Sequence, residues 1–130
     1  MVRKKQTTRK LMTELELELM NALWSRGEGA VKEIQDSLPA TRPLAYTSVA
    51  TMMKILEKKG FVGSRKLDRA YTYYPLVSRE EYESTSVEHL VNNVFSGAAS
   101  SLAKRLLSES DFSESELKSL RALLNERLKS

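Results

Sequence analysis

Cysteine is absent from this 130-residue chain, and histidine occurs once, at His89. The first absence excludes disulfide frameworks, thiolate metal sites and thiol nucleophiles. The second leaves any nucleophile–base pair to a hydroxyl converging on one imidazole, and a lone histidine on a helix is ordinarily structural or solvated. The five glycines are scattered, so no glycine-rich phosphate loop is present. Glu80, Glu81 and Glu83 gather at a helix start, where they complement the helix dipole rather than form an acid–base pair. No apolar run approaches a membrane span, and the N-terminus lacks the apolar core of a signal peptide. The expectation is a cytoplasmic protein with no membrane contact, no enzymatic activity, no cofactor and no metal.

What the chain does have is positive charge, unevenly placed. The net charge is +4, but residues 1–77 carry 14 Lys and Arg against 8 Asp and Glu, while residues 78–130 carry 7 against 9. A basic N-terminal half joined to a slightly acidic C-terminal half points to a polyanionic partner for the first. The length suits one small domain with an added oligomerisation segment.

The most informative stretch runs from Leu44 to Tyr74. Val49, Met52, Met53 and Leu56 recur at helical spacing and share one face. Thr47, Ala50, Thr51, Lys54 and Lys58 occupy the opposite face, small and polar for two turns and then positive. A helix lying in a major groove needs short side chains at close approach, donors for base edges and cations for phosphates. Gly60 supplies the C-terminal stop, with Lys58 and Lys59 in the last turn. Two strands, Phe61 to Leu67 and Tyr71 to Val77, then flank the turn Leu67-Asp68-Arg69-Ala70. Arg65, Lys66 and Arg69 at or beside that turn suit phosphate or minor-groove contact.

Upstream, Arg3, Lys4, Lys5, Arg9 and Lys10 form a basic leader, read either as a DNA-contacting arm or as a solubilising tail. Thr13 and Glu16 form a capping box ahead of Leu15, Leu19, Met20, Leu23 and Trp24. Arg26-Gly27-Glu28-Gly29 breaks that helix, and a short second helix from Val31 to Leu38 precedes the turn bracketed by Pro39 and Pro43. Three helices and a hairpin make a winged helix-turn-helix. The fold class expected is therefore mainly α with a small β-hairpin: a flexible arm over 1–12, a winged helix-turn-helix over 13–77 with its recognition helix at about 45–59 and wing at about 62–77, and a helical dimerisation region over 78–130. In that last region one helix starts at Ser78-Arg79-Glu80-Glu81 and ends before Gly97. Leu102, Leu106 and Leu107 mark another, and the Ser113–Glu116 capping box opens a third, carrying Leu117, Leu120, Leu123, Leu124 and Leu128. These short helices hold more leucine than one thin layer buries. Phe95, Leu102, Leu106, Leu107, Leu117, Leu120 and Leu124 are the expected dimer interface, because helix-turn-helix proteins commonly read paired half-sites.

Several segments together resemble the penicillinase and methicillin-resistance repressors, the BlaI/MecI/CopY group. They are Leu15-Glu16 with Met20-Asn21-Ala22-Leu23-Trp24, Ala45-Tyr46-Thr47-Ser48-Val49, Lys58-Lys59-Gly60-Phe61-Val62, Asp68-Arg69-Ala70-Tyr71, Tyr74 to Tyr82, and the helix Leu117 to Leu124. The resemblance implies a homodimeric repressor with an interlocked C-terminal helical dimer, bound to palindromic operators in double-stranded DNA. It implies groove-facing roles for Thr47, Ser48, Ala50, Thr51 and Lys54, and a wing role for Arg69. Ala50 and Ile55 depart from the longer polar or basic residues of many relatives, which bears on operator sequence. Two other readings stay open: a winged helix used for protein–protein contact, which would not need the basic wing and leader, and a ligand-responsive regulator.

A regulatory protease is the remaining partner that the resemblance implies. Members answering β-lactams are cut at an Asn-Phe bond, and the copper-responsive branch uses a cysteine cluster. This chain has neither, and reads Ala103-Lys104-Arg105-Leu106-Leu107 at the corresponding place. Replacing an amide-aromatic pair by a cation-aliphatic one changes both sides of the bond a protease must seat. The chain is therefore expected to stay intact in cells exposed to a β-lactam. An immunoblot showing a specific fragment ending near Arg105 would refute this.

Overall fold

The computed structural model describes residues 11–130. Its elements in order are α1 (Glu14–Arg26), α2 (Val31–Asp36), α3 (Tyr46–Lys59), β1 (Val62–Leu67), β2 (Ala70–Pro75), α4 (Arg79–Asn93), α5 (Ala99–Glu109) and α6 (Glu114–Lys129). They divide into two compact units, one closing at Val87 and the other running from Glu88 to Ser130.

Local chemistry sets most boundaries of the first unit. The Glu16 N–H donates to Thr13 Oγ1 at 3.2 Å and the Thr13 N–H to Glu16 Oε1 at 2.9 Å, which satisfies two of the orphan donors at the start of α1. Gly60 ends α3 with φ at +89°, and the Phe61 N–H reaches back to the Leu56 carbonyl at 3.0 Å. α2 is shorter than the periodicity predicts, stopping at Asp36 instead of Leu38. Pro39 disfavours the helical region for the residue before it, so Leu38 leaves the helix while still packing against the core.

β1 and β2 pair antiparallel from Val62↔Pro75 to Leu67↔Ala70, leaving Asp68 and Arg69 as the turn. Asp68 sits at φ +59°, a left-handed conformation that aspartate tolerates better than most residues. The ladder begins at Val62 and closes at Pro75, so Phe61, Leu76 and Val77 lie outside the strands expected to hold them. Pro75 has no N–H to extend the ladder, although the Leu76 N–H still bonds the Phe61 carbonyl at 2.9 Å. A single residue extends the sheet on its other edge. Gly29 exchanges both backbone bonds with Tyr73, at 3.0 and 2.8 Å, tying the α1–α2 turn to β2.

The core is built where these pieces meet. Leu19, Met20 and Leu23 of α1, Ile34 of α2, and Val49, Met53 and Leu56 of α3 are fully buried, with Phe61 and Val62 beside them. Tyr82 of α4 is also buried, edge-on to Phe61 at 6.0 Å and 6.2 Å from Trp24, whose Nε1 donates to the Val77 carbonyl at 2.9 Å. The start of α4 thus packs as part of the winged unit. Leu11 and Met12 correct another expectation. Assigned in sequence to the flexible arm, both pack on the core, and the Met12 N–H donates to the Tyr82 hydroxyl at 2.7 Å. The leader cations Arg3, Lys4, Lys5, Arg9 and Lys10 lie outside the described residues.

The second unit holds the end of α4, the bend at Ser96 and Gly97 (φ +51° and +84°), α5 and α6. Ser113 and Glu116 cap α6 reciprocally at 3.0 and 2.8 Å. Neither α5 nor α6 buries a single residue within the chain.

One ion pair ties α1 to the end of α3. Lys59 Nζ lies 2.8 Å and 3.0 Å from the two oxygens of Glu16, which is only 3% exposed. Burial alone drives the Glu16 carboxyl up. The Lys59 ammonium and the Thr13 backbone and hydroxyl outweigh it and hold that carboxyl below its usual range. A depressed carboxylate stabilises the fold above its unfolded-state pKa, and that contribution disappears as pH falls through the folded value. Lys59→Met leaves the carboxylate buried without its counter-charge. Because Lys59 is itself partly exposed, the expected loss at pH 7 is about 1–3 kcal/mol, less than for a fully buried pair. Urea unfolding at pH 7 and again in the acid range checks this, and the gap between variant and wild type should narrow on acidification.

Candidate nucleic-acid interface

Burial of Val49, Met53 and Leu56 fixes which way α3 faces. With 3.6 residues per turn, the same choice turns Thr47, Ser48, Thr51, Lys54 and Lys58 to solvent, and all five are exposed. Ala50 lies half-buried at one edge of that face, beside the exposed Tyr46, and the exposed Ile55 lies toward the other edge. The N-terminus of α3 differs from that of α1. Ala45 offers no side-chain cap and the first turn holds no acid, so its free N–H groups and positive dipole end are not compensated locally. The loop before it is held by Gln35 Nε2 donating to the Leu44 carbonyl at 2.9 Å, and by Arg42 paired with Glu18 at 3.2 Å.

The cations expected to contact phosphate fall into different circumstances. Lys54, Lys58, Lys66 and Arg69 are exposed, and none takes part in an ion pair among the described residues. Arg65 is engaged: its Nη2 lies 2.7 Å and 2.9 Å from the two Glu28 oxygens, and its guanidinium sits 5.5 Å from the Tyr74 ring centroid. Lys59, next to Lys58 in sequence, turns inward to Glu16. The outward set is thus a neutral-polar helix face followed by cations, with Lys66 and Arg69 at the end of the hairpin. Glu28, Arg42 and Tyr74 are the residues around this surface that sequence reading passed over. Glu28 and Arg42 find partners far along the chain, where no periodic signal exists, and the Tyr74–Arg65 contact depends on the register of the hairpin.

The leucines of the second unit are also accounted for. Phe95 and Leu102 are half-buried. Leu106, Leu107, Leu117, Leu120 and Leu124 are 39–59% exposed, as are their neighbours Val94, Leu123 and Leu128 to a greater degree. These leucines lie on two helices that bury no residue within the chain. His89, the sole histidine, is exposed, and among the described residues no cluster of His, Asp and Glu could hold a metal.

Comparison with known proteins gives this arrangement a family. The penicillinase repressor profile matches residues 12–126. The methicillin resistance regulatory protein MecI of Mammaliicoccus sciuri is 26% identical over 116 residues, 89% of this chain and 94% of that protein. The transcriptional regulator BlaI of Mycobacterium tuberculosis is 42% identical over 69 residues, 52% of this chain and 50% of that protein. The solution structure of the DNA-binding domain of the repressor BlaI matches with a TM-score of 0.50 at 26% identity, covering 58% of this chain and 94% of that domain. With its helices, wing and nearly its whole length accounted for in this way, the chain belongs to the penicillinase repressor family.

Proposed function

We propose that this protein represses transcription as a homodimer, docking on palindromic operators in duplex DNA through α3 and the wing. The observation that carries the reading is the exposed face of Thr47, Ser48, Thr51, Lys54 and Lys58, set on a helix whose other side is locked into the core. Short hydroxyl-bearing residues near the start of the helix admit a close approach to base edges, with Ala50 leaving room beside them. Lys54 and Lys58 further along, and Lys66 and Arg69 on the wing, supply cations for the phosphates on either side. No step of catalysis is involved, since binding alone occludes the promoter. Such a protein works in the cytoplasm, beside the chromosome. Among the described residues no helix is long and apolar enough to cross a membrane. Relatives named as repressors, the penicillinase repressor of Bacillus licheniformis and the repressor BlaI, support the assignment.

If phosphates carry the affinity, binding to duplex DNA weakens by roughly 0.9 log unit per log unit of salt for each phosphate neutralised. Fluorescence anisotropy across a salt series reads that slope, and a flat response sinks groove docking. Base contacts and phosphate contacts then separate by substitution. Thr51→Ala and Lys54→Ala should cost about 1–3 kcal/mol of discrimination between an operator fragment and random duplex. Arg69→Ala should weaken both about equally. An unchanged specificity ratio in Thr51→Ala would remove that residue from the base-reading face.

Dimerisation rests on the leucines of α5 and α6. A dimer holds two recognition helices roughly 34–36 Å apart to meet successive half-sites, an advantage a monomer forfeits. Leu120→Asp places a charge in the proposed interface at a position already exposed in the single chain, so the winged unit stays folded. Light scattering at micromolar concentration should give a dimer mass for the wild type and a monomer for the variant, with much weaker operator binding. A clean monomer mass for the wild type refutes the interface.

A further inference from the structure

The cations of the wing have unequal tasks. Along β1, positions 63 and 65 lie on the same side of the strand. Gly63 faces Tyr74 across the ladder, and a Cβ on Gly63 would stand 2.7 Å from the Tyr74 ring, so only glycine lets that ring lie over the strand. The Arg65 guanidinium sits by the same ring and grips both oxygens of Glu28. Glu28 immediately precedes Gly29, whose backbone is bonded to Tyr73 on β2. Two adjoining residues of the α1–α2 turn thus hold both strands of the hairpin, one through its backbone and one through a charge-assisted side-chain bond.

We propose that Arg65 is a positioning residue: with Glu28 and Tyr74 it braces the wing against the α1–α2 turn and does not serve as a phosphate ligand. The proposal rests on the repressor reading above and refines which wing residues touch DNA. Reaching a phosphate would require Arg65 to give up two short charge-assisted bonds. It would also leave the Glu28 carboxylate uncompensated beside a polyanion. Both side chains are half exposed, so the pair adds little to global stability. Its effect is geometric. One guanidinium nitrogen holds both carboxylate oxygens, and the Tyr74 ring beside the guanidinium limits its swing. The hairpin acts as a lever whose tip carries Lys66 and Arg69, so a small rotation at the brace moves those cations further than it moves the brace itself. Arg65 thus contributes to affinity by where it keeps its neighbours.

The test uses full-length protein with a labelled random-sequence duplex, and amide hydrogen exchange on the free protein. Glu28→Gln and Arg65→Met should each weaken binding several-fold without changing the salt slope, and the double variant should bind no worse than either single one. The charge swap E28R/R65E should recover most of the affinity, because it restores the brace with the charges reversed. Lys66→Met and Arg69→Met should instead lower the slope by roughly 0.9 for each phosphate no longer neutralised. In the free protein, Glu28→Gln and Arg65→Met should speed exchange of the Tyr73 amide. Tighter binding by Glu28→Gln, a smaller salt slope in Arg65→Met, or a charge swap as weak as the singles overturns the proposal, as does unchanged Tyr73 exchange. If the wild type binds no duplex even at low salt, the repressor reading fails, and the exchange measurement still decides whether the brace exists.

Discussion

The rotation of α3 about its own axis is the constraint on which the rest depends. Val49, Met53 and Leu56 have no exposed surface, and fully burying an aliphatic side chain of this size is worth about 1.5–3 kcal/mol. Turning the helix by a single residue, roughly 100°, would take those three off the core and bring in Ala50, Lys54 and Glu57 in one sense, or Ser48, Met52 and Ile55 in the other. The first buries two charged groups, and the second exchanges three fully buried apolar side chains for a set that includes a serine. The outward face therefore follows from the core, and the residues available to a partner are those the core refuses. Lys59 strengthens the lock from the far end. It pins the last turn of α3 to Glu16, whose carboxylate also caps the first turn of α1, so the two long helices of the winged unit are joined at a point where each terminates or begins.

Charge is sorted by the same logic. Of the basic residues between Lys54 and Arg69, Lys59 is consumed by a nearly buried carboxylate and Arg65 by a half-exposed one. Lys54, Lys58, Lys66 and Arg69 stay unpaired among the described residues, and the field toward solvent belongs to them. A count of Lys and Arg overstates the electrostatic surface, because a cation at contact distance from a carboxylate presents little net charge beyond a Debye length of about 8–10 Å. Solvent-facing position and the lack of an intramolecular partner, taken together, identify the cations that a polyanion can recruit without first breaking something.

Much of this was legible in sequence, for physical reasons that also explain what was not. α1, α3 and the hairpin announce themselves because caps, glycine stops, 3.6-residue periodicity and turn chemistry act over a few neighbouring residues. Thr13 and Glu16 are three apart, and Gly60 directly follows the helix it ends. The Glu28–Arg65 and Glu16–Lys59 pairs span 37 and 43 residues, and the Gly29–Tyr73 bridge joins one residue of a loop to a strand. No local pattern encodes those contacts. The same limit separated Leu11 and Met12 from the core in the sequence reading, because the Met12 N–H bond to the Tyr82 hydroxyl spans 70 residues and leaves no local trace beside a basic leader. It also placed the start of α4 outside the winged unit. A helix that begins with Ser78 capping Glu81 is visible locally, but the burial of Tyr82 on Phe61 and Trp24 is not.

Dimerisation and DNA binding, on the proposed reading, are one equilibrium seen from two sides. The leucines of α5 and α6 find no cover within the chain, and covering several of them with a second copy yields association energy of the same order as that of a folded core layer. The four unpaired wing and helix cations of one protomer are a modest set for a lone binder. Once two protomers are joined, the second half-site is met at an effective concentration set by geometry. Avidity can then exceed single-site affinity by about 10²–10⁴ with no new contact to DNA. Linkage makes the effect reciprocal: an operator that holds two protomers side by side stabilises the leucine interface by the same free energy. On that reading, a signal that loosens α5 or α6 would release DNA without touching α3, and a change on α3 that weakens operator binding would also lower the dimer population at limiting protein concentration. Control of such a protein does not need a cut at any particular bond. It needs only a ligand, modification or partner that favours the separated helices, and the exposed apolar face of the single chain is the surface on which that preference would be expressed.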